Sequence, residues 1–378
     1  MANKKLTFID LFAGAGGLSE GFIQAGFTPV VHIEMNKNAC KTLETRKAFH
    51  YLEKHKKLDY YYDYLRNKIS RDQLLEYVPR KKLDSIICSE MSNSNLPVIF
   101  NAVDSLMEKQ NTDHINIVLG GPPCQAYSLV GRAQSSHMKM PMHKDPRNYL
   151  YMLYTQFLNK YQPDMFVFEN VIGIKTAKNG SVFRNIEKAL KKIHYTMEIH
   201  EQNAKDFGAL QNRKRIIIIG WKEGSNFHYP EFKKTETDAI VYDLLNDLPP
   251  LKHGESNTKY KLPYSEISSY LKDSNIRKKN DVLTQHECRQ NAKRDIEIYK
   301  RTINAWNDGH KRLKYDELPK SLKTHKNTTS FVDRFKVVEG DMHYCHTVLA
   351  HLSKDGHYFI HPDIEQARSI SVREAARL

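Results

Sequence analysis

The sequence has no long hydrophobic run. No stretch of about 18 apolar residues occurs, which excludes a membrane-spanning helix. It has no signal-peptide pattern either; a short apolar strand begins almost at once. Cysteine is scarce: Cys40, Cys88, Cys124, Cys288 and Cys345 are five in all, and none sits in a CxxC pair. An odd count without close pairs argues against a zinc site or a disulfide framework and fits a reducing compartment. No internal repeat or low-complexity tract is present. Acidic residues are in deficit, with 44 Asp and Glu against 58 Lys and Arg, a net charge of +14. The simplest acidic partner for such a surface is nucleic acid, although a basic surface can also be plain solvated protein.

What is present fits a soluble two-domain protein. The 378 residues are 40% hydrophobic and 27% charged. That length suits two domains of roughly 100–200 residues, with enough chain to bury a core. Residues 1–221 alternate between strand-like and helix-like segments. "KKLTFIDLF", "TPVVHIE", "HINIVLGG", "PDMFVFEN" and "RKRIIIIGW" are strand-length apolar runs, and "LSEGFIQAGF" and "NKNACKTLET" have helical spacing. This alternation predicts an α/β fold with a mostly parallel sheet covered by helices. Ligands of such sheets sit at the carboxyl ends of the strands.

Two stretches interrupt the pattern. Residues 44–82, rich in Tyr, Lys and Leu, read as an inserted pair of helices. Residues 125–148 carry no periodic signal and read as a long functional loop. From Lys222 the alternation stops, and Pro249-Pro250 marks a break. Lys272 to Lys336 holds 17 Lys or Arg against 9 Asp or Glu, interleaved with aromatics. Residues 222–350 therefore read as a second domain with a basic face. Residues 351–378 return to strand-and-helix texture and are expected to rejoin the first domain.

Three elements carry chemistry. In "FIDLFAGAGGLSEGF", Gly14, Gly16 and Gly17 follow a strand and precede a helix. Glycines let the backbone turn tightly and approach a ligand. Glu34, at the end of the next strand, suits the ribose hydroxyls of a nucleotide-like cofactor. The adjacent Gly16 and Gly17 depart from G-x-G-x-x-G, and the Lys-Ser/Thr of a P-loop is lacking. ATP is thereby disfavoured, and a dinucleotide somewhat so.

In "INIVLGGPPCQAYS", Cys124 follows an apolar strand and two stiffening prolines, Pro122 and Pro123. A cysteine on a rigid turn at a strand end is a candidate nucleophile, the alternative being a small buried residue. The other four cysteines read as core or chance surface residues. "PDMFVFENV" ends an apolar strand in Glu169 and Asn170; a carboxylate emerging there must be paired, protonated or used. In "LQNRKRIIIIG", Gln211, Arg213 and Arg215 would share one face of a strand. They point either to an anion or base edge, or to a solvated edge with Lys214 opposite.

In chain order, "DLFAGAGGLSEGF", Glu34, Asp104, "GGPPCQAYS", "ENV", "QNRKR" and "SISVREAARL" resemble the cytosine-5 DNA methyltransferases. The resemblance covers residues 6–378 apart from a variable middle. It implies a Rossmann-like S-adenosylmethionine-dependent methyltransferase sheet with helices on both faces, plus a smaller irregular target-recognition domain at 222–350. It implies S-adenosyl-L-methionine as cofactor, double-stranded DNA as substrate, no metal and a cytoplasmic setting. Phe12, Gly14, Gly16, Leu18 and Pro122 would line the cofactor pocket, with Glu34 on the ribose and Asp104 on the adenine amino group. Cys124 would be the nucleophile and Glu169 would contact cytosine at ring nitrogen 3 and the exocyclic amine. Arg213 would anchor the flipped base, supported by Arg215. Ser128 and Arg132 of the long loop, and Gln211, would face DNA.

Two departures stand out. Tyr127 replaces the family's usual Phe. The family also continues, beyond the motif that ends here at Leu378, into a Phe-Pro-Asp stretch and a Gly-Asn-aliphatic-Pro helix. Its absence is consistent with a shortened chain, a split enzyme whose second chain supplies the helix, or an inactive remnant; the intact catalytic set favours the first two. Rival readings are a cytosine-5 methyltransferase of transfer RNA and a non-catalytic DNA-binding subunit. A recognition region of over a hundred residues favours the DNA enzyme.

Overall fold

The computed structural model describes residues 5–123, 150–177, 179–323 and 332–378. Contacts divide it into two compact units, residues 1–202 with 214–232, and residues 203–213 with 233–378.

The first unit is built on parallel strands. β1 (Thr7–Leu11), β2 (Thr28–Glu34), β3 (Ile86–Cys88), β4 (Ile117–Gly120), β5 (Met165–Asn170), β6 (Tyr195–Asn203) and β8 (Lys214–Lys222) form a seven-stranded sheet in the order β3-β2-β1-β4-β5-β8-β6. The first five pair in parallel, and β8 runs antiparallel to β5. Parallel pairing requires crossovers. They are supplied by α1 (Gly17–Gln24), α2 (Lys37–Lys54) with the short α3 (Leu58–Leu65), α4 (Arg71–Glu76) and α5 (Arg80–Leu83), α6 (Leu96–Lys109), α7 (Leu150–Tyr161) and α8 (Ser181–Lys192).

Alternation along the strands splits their side chains between two cores. Ile9, Val118, Phe166, Phe168 and Ile218 pack with Ile99 and Val103 of α6, Phe157 of α7 and Ile186 of α8. Phe8, Ile117, Leu119, Val167 and Ile219 pack on the other face with Leu18, Phe22 and Ile23 around α1. Both faces are therefore covered, as the unbroken apolar strands require. The expected α/β sheet with helices on both faces is what the structure has. Strand order reverses between β1 and β4, and the crevice at such a switch point is where these sheets take ligands.

The second unit holds the short β7 (Gln211–Asn212) paired with β9 (Cys345–His346), and helices α9 (Tyr242–Leu245), α10 (Ser269–Asp273), α11 (Lys293–Asn307) and α12 (Val372–Arg377). Its apolar clusters are small and its interior is unusually ionic. Arg368, fully buried, grips Glu374 through two hydrogen bonds of 2.8 and 2.7 Å. Asp247 holds Arg277 at 2.6 Å and also pairs with Arg377.

These ion pairs correct the expected boundaries. Residues 351–378 pack inside the second unit instead of returning to the first. Arg377 donates to Leu244 O at 2.7 Å, and Ile370 shares a core with Leu210, Val241 and Phe359. The first unit also runs to residue 232, not 221, and cedes 203–213 to the second. Among the described residues, no helix is long and apolar enough to cross a membrane.

Candidate active site

The glycine turn leaves β1 at the switch point. Phe12 and Gly14 both have φ of 55°, and Gly16 has 83°. Positive φ is rare for a bulky residue such as Phe, so this turn is a strained feature worth a functional explanation. Among the described residues, a Cβ on Gly14 or Gly17 would meet nothing within 4 Å, so the turn has open space beside it.

Glu34, at the end of β2, closes this turn. Its Oε2 accepts from the Gly14 N–H at 2.8 Å and its Oε1 from the Asn36 N–H at 2.8 Å. An ionised carboxylate offers about four lone-pair sites, so capacity remains for a ligand's hydroxyls. Asn36, which sequence reasoning missed, extends the chain of contacts: its side chain caps α2 by accepting from Asn38 N and Ala39 N. An Asn at that position is an N-cap signal the sequence did carry.

The next element along the sheet is the turn after β4. Pro122 is buried there, and its carbonyl accepts a 3.1 Å hydrogen bond from Asn170 Nδ2. Asn170, at the end of β5, thus pins the proline turn to the neighbouring strand. Tyr154 of α7 braces the same two strands from below, donating toward Val118 O at 2.9 Å and Val167 O at 3.1 Å. Burial pushes its phenol well above the usual range, so it remains a neutral donor.

Glu169 precedes Asn170 on β5. Arg215 Nε on β8 lies 2.7 Å from Glu169 Oε1, with the side chains 20% and 31% exposed respectively. Gly121 crowds the other oxygen: a Cβ there would stand 2.8 Å from Glu169 Oε2. The carboxylate thus lies between an arginine and a glycine turn that approaches it closely.

Phe12, Gly14, Gly16, Leu18, Glu34, Pro122, Glu169 and Arg215 all belong to the first unit. Asp104 is not brought to this group. It lies in the second half of α6, where Lys160 Nζ is at 2.8 Å and Tyr161 Oη at 3.0 Å. The segment that adjoins Glu34 is instead the exit of β3, where Ser89 N donates to Glu34 O at 2.9 Å. β3 is three residues long, too short for its apolar pattern to register.

Gln211, Arg213 and Arg215 do not share a strand. β7 ends at Asn212 and β8 begins at Lys214, in different sheets. Gln211 and Arg213 belong to the second unit. There Gln211 Nε2 donates to Leu378 O at 2.6 Å and Arg213 Nη1 to Val348 O at 3.4 Å. Cys124, Ser128 and Arg132 lie outside the described residues, as does the expected loop 125–148.

A turn opening at the switch point, a backbone-held carboxylate beside it, and an arginine-held carboxylate two strands away from the turn make a candidate two-part site. The sequence model of the C-5 cytosine-specific DNA methylase family matches residues 6–74 and 81–378. The chain belongs to that family. It is an enzyme that methylates cytosine in DNA at carbon 5. Type II methyltransferase M.Bpa9945I of Bacillus paralicheniformis is 39% identical to this methylase, over 98% of this chain and 89% of its own length. Type II methyltransferase M.AquIA of a Picosynechococcus species is 30% identical over 65% of this chain and 90% of that protein. A crystal structure described as a DNA modification methyltransferase encoded within an E. coli prophage superposes with a TM-score of 0.59. It covers 99% of this chain and 88% of its own, and at 20% identity the likeness speaks for the fold.

Proposed function

We propose that this methylase modifies a flipped-out cytosine in duplex DNA through a covalent bond from Cys124 to carbon 6, with S-adenosyl-L-methionine as methyl donor. It would serve as the modification enzyme of a restriction-modification system, in the cytoplasm. The observation that carries the reading is the Glu34 carboxylate, locked by Gly14 and Asn36 beside a glycine turn at the switch point.

The residues present fit the cofactor. The space open at Gly14 and Gly17 admits a ligand close to backbone, and Glu34 retains acceptor capacity for two ribose hydroxyls. Phe12, Gly14, Gly16, Leu18 and Pro122 would surround the methionine end. The exit of β3 is a better neighbour for the adenine than Asp104, which Lys160 and Tyr161 already engage. When bound, the cofactor supplies an electrophilic sulfonium methyl for carbon 5.

The chain's own groups prepare the base. Carbon 5 of cytosine is a poor nucleophile, and addition of the Cys124 thiolate to carbon 6 pushes electron density toward it. Glu169 faces ring nitrogen 3 and the exocyclic amine, sharing a proton with the ring as negative charge develops there. Arg215 keeps that carboxylate in register, and Arg213 contributes an anchoring guanidinium. Loss of the carbon 5 proton then expels Cys124. The target atom is hidden in the duplex, so flipping is needed, at about a few kcal/mol. Lys and Arg in excess offer phosphate contacts that hold the DNA during that step, while Gln211, Ser128 and Arg132 would lie toward DNA.

The test is methyl transfer by this chain alone. Duplex DNA is incubated with labelled cofactor, digested to nucleosides and analysed, with Cys124→Ala as control and transfer RNA as competitor. Label in 5-methylcytosine that disappears in the control supports the mechanism, and its appearance without any other protein removes the need for a second chain. Label that persists in Cys124→Ala refutes the covalent route.

A further inference from the structure

Two cysteines outside the proposed chemistry meet beside Glu34. Cys88 ends β3 and is the register partner of Glu34 on β2. Cys40 lies in the first turn of α2, its N–H donating to Asn36 O at 2.9 Å. The two sulfurs rest on the carbonyls of consecutive residues. Cys40 Sγ is 3.4 Å from Glu34 O, and Cys88 Sγ is 4.0 Å from Met35 O. Cys40 is buried, whereas Cys88 is exposed. An oxidant in solution therefore reaches one sulfur, and the second waits behind it.

We propose that Cys40 and Cys88 form a reversible disulfide modification site, oxidised by hydrogen peroxide, that weakens cofactor binding through Glu34. The effect on the cofactor rests on the functional reading above; the disulfide itself does not.

Exposure sets the order of events. The Cys88 thiolate attacks one peroxide oxygen, the O–O bond breaks, and the other oxygen leaves as water once protonated. Cys88 is then a sulfenic acid. The Cys40 sulfur attacks the Cys88 sulfur, the S–S bond forms, and the S–O bond breaks. That oxygen departs as a second water, taking up the proton from Cys40. Two thiols lose two electrons and two protons, and one peroxide is reduced to two waters. Burial pushes the Cys40 thiol up to about 12, with the Cys88 thiol and the Glu34 carboxylate adding to the effect. Cys40 is thus a poor first nucleophile for peroxide, and the first step falls to the exposed Cys88.

The consequence follows from the loop on which both sulfurs rest. A disulfide draws them to about 2.05 Å. The first turn of α2 and the end of β3 must close on the Glu34–Asn36 loop, and Cys40 gives up the S–H it directs at Glu34 O. The Glu34 carboxylate is set by Gly14 N and Asn36 N, so a shift of the loop turns it away from the ribose position. Displacements of about 1 Å in positioning groups cost up to about 100-fold. A tenfold loss of affinity is a modest expectation. In a reducing compartment the pair stays as thiols until peroxide rises, which is the usual setting for a regulatory disulfide.

The experiment uses the whole chain. Reduced protein is exposed to hydrogen peroxide, remaining thiols are alkylated, and the digest is mass-mapped without reduction. Binding of S-adenosylhomocysteine is measured by calorimetry before oxidation, after it, and after dithiothreitol. We expect a Cys40–Cys88 linked peptide, about tenfold weaker binding, and recovery with dithiothreitol. Cys88→Ser should keep its affinity through peroxide treatment, which separates the effect from oxidation of Cys124, Cys288 or Cys345. Cys88 recovered alkylated or over-oxidised, with no linked peptide, overturns the site. A linked peptide with unchanged affinity overturns the control of binding. Failure of the reduced protein to bind S-adenosylhomocysteine would count against the cofactor reading, while the mapping would still decide the disulfide.

Discussion

Arg215 and Glu169 join two antiparallel strands, β8 and β5, by an Nε–Oε1 contact of 2.7 Å. Both side chains are partly solvated, and exposed ion pairs contribute only about 0–1 kcal/mol to stability. On the proposed mechanism, the pair serves to aim the carboxylate more than to hold the fold.

Arg215→Ala should leave the melting temperature nearly unchanged and lower kcat by about 100-fold, the size expected when a catalytic group is misplaced by about 1 Å. Arg215→Lys should recover only part of this, since an ammonium lacks the guanidinium's fixed planar donors. Thermal melts beside steady-state methyl transfer decide it. A large loss of stability with normal turnover would reverse the assignment.

The two glycines after β4 should separate stability from activity. A Cβ on Gly120 would stand 2.8 Å from the Tyr154 ring and 2.9 Å from Leu11 O, neither of which can move freely. Gly120→Ala should cost about 1–3 kcal/mol of stability, as overpacking does. The nearest described atom to a Cβ on Gly121 is Glu169 Oε2, at 2.8 Å, with the Glu169 backbone oxygen next at 3.4 Å. The side-chain oxygen can swing aside, so Gly121→Ala should fold well and lose at least about tenfold in rate. Equal melting temperatures for the two variants would contradict this.

These glycines also mark how far the sequence could be read. "GGPPC" announces a tight turn at a strand end, because proline and glycine restrict the backbone locally. Which oxygen crowds which glycine depends on β5 lying beside β4, a pairing between residues nearly fifty apart. Long apolar strands such as "PDMFVFEN" were legible for the same local reason, whereas the three-residue β3 was not. Asp104 looked placed for the adenine by its position in the chain order, but α6 carries it toward Lys160. The second unit misled most. Residues 351–378 have strand-and-helix texture, yet they pack with 233–350, where Arg377 pairs with Asp247 and donates to Leu244 O. Buried ion pairs between distant residues leave no periodic trace.

Glu34→Gln should weaken binding of S-adenosylhomocysteine by at least about tenfold, or about 1.4 kcal/mol. Gln keeps one acceptor oxygen, but its amide nitrogen would face either the Gly14 or the Asn36 N–H, donor against donor. Calorimetry measures the affinity directly. Unchanged binding would remove Glu34 from the ribose site.

Acid should loosen the second unit in two successive steps. Burial lowers His361 to about 4, although the nearby Glu374 carboxylate favours its charged form. Folded His361 therefore stays neutral while the unfolded chain takes up a proton near pH 6.5. Stability then falls by about 1.36 kcal/mol per pH unit between pH 6.5 and 4, about 3 kcal/mol from this group, and levels off below. For Glu374, burial acts upward, but the Arg368 hydrogen bond, His361 and the Ser371 N–H outweigh it and lower the carboxyl to about 2. Its contribution is whole above about pH 4.5 and is lost as pH falls from there toward 2. Trp306 lies in this unit and Trp221 in the other. A Trp221→Phe background thus reports the second unit by fluorescence during urea unfolding. The urea midpoint should drop steadily from pH 7 to 4, and His361→Gln, whose amide oxygen can still accept from Asp363 N, should flatten that fall by about one proton. An equally steep fall in His361→Gln would assign the acid sensitivity to other groups.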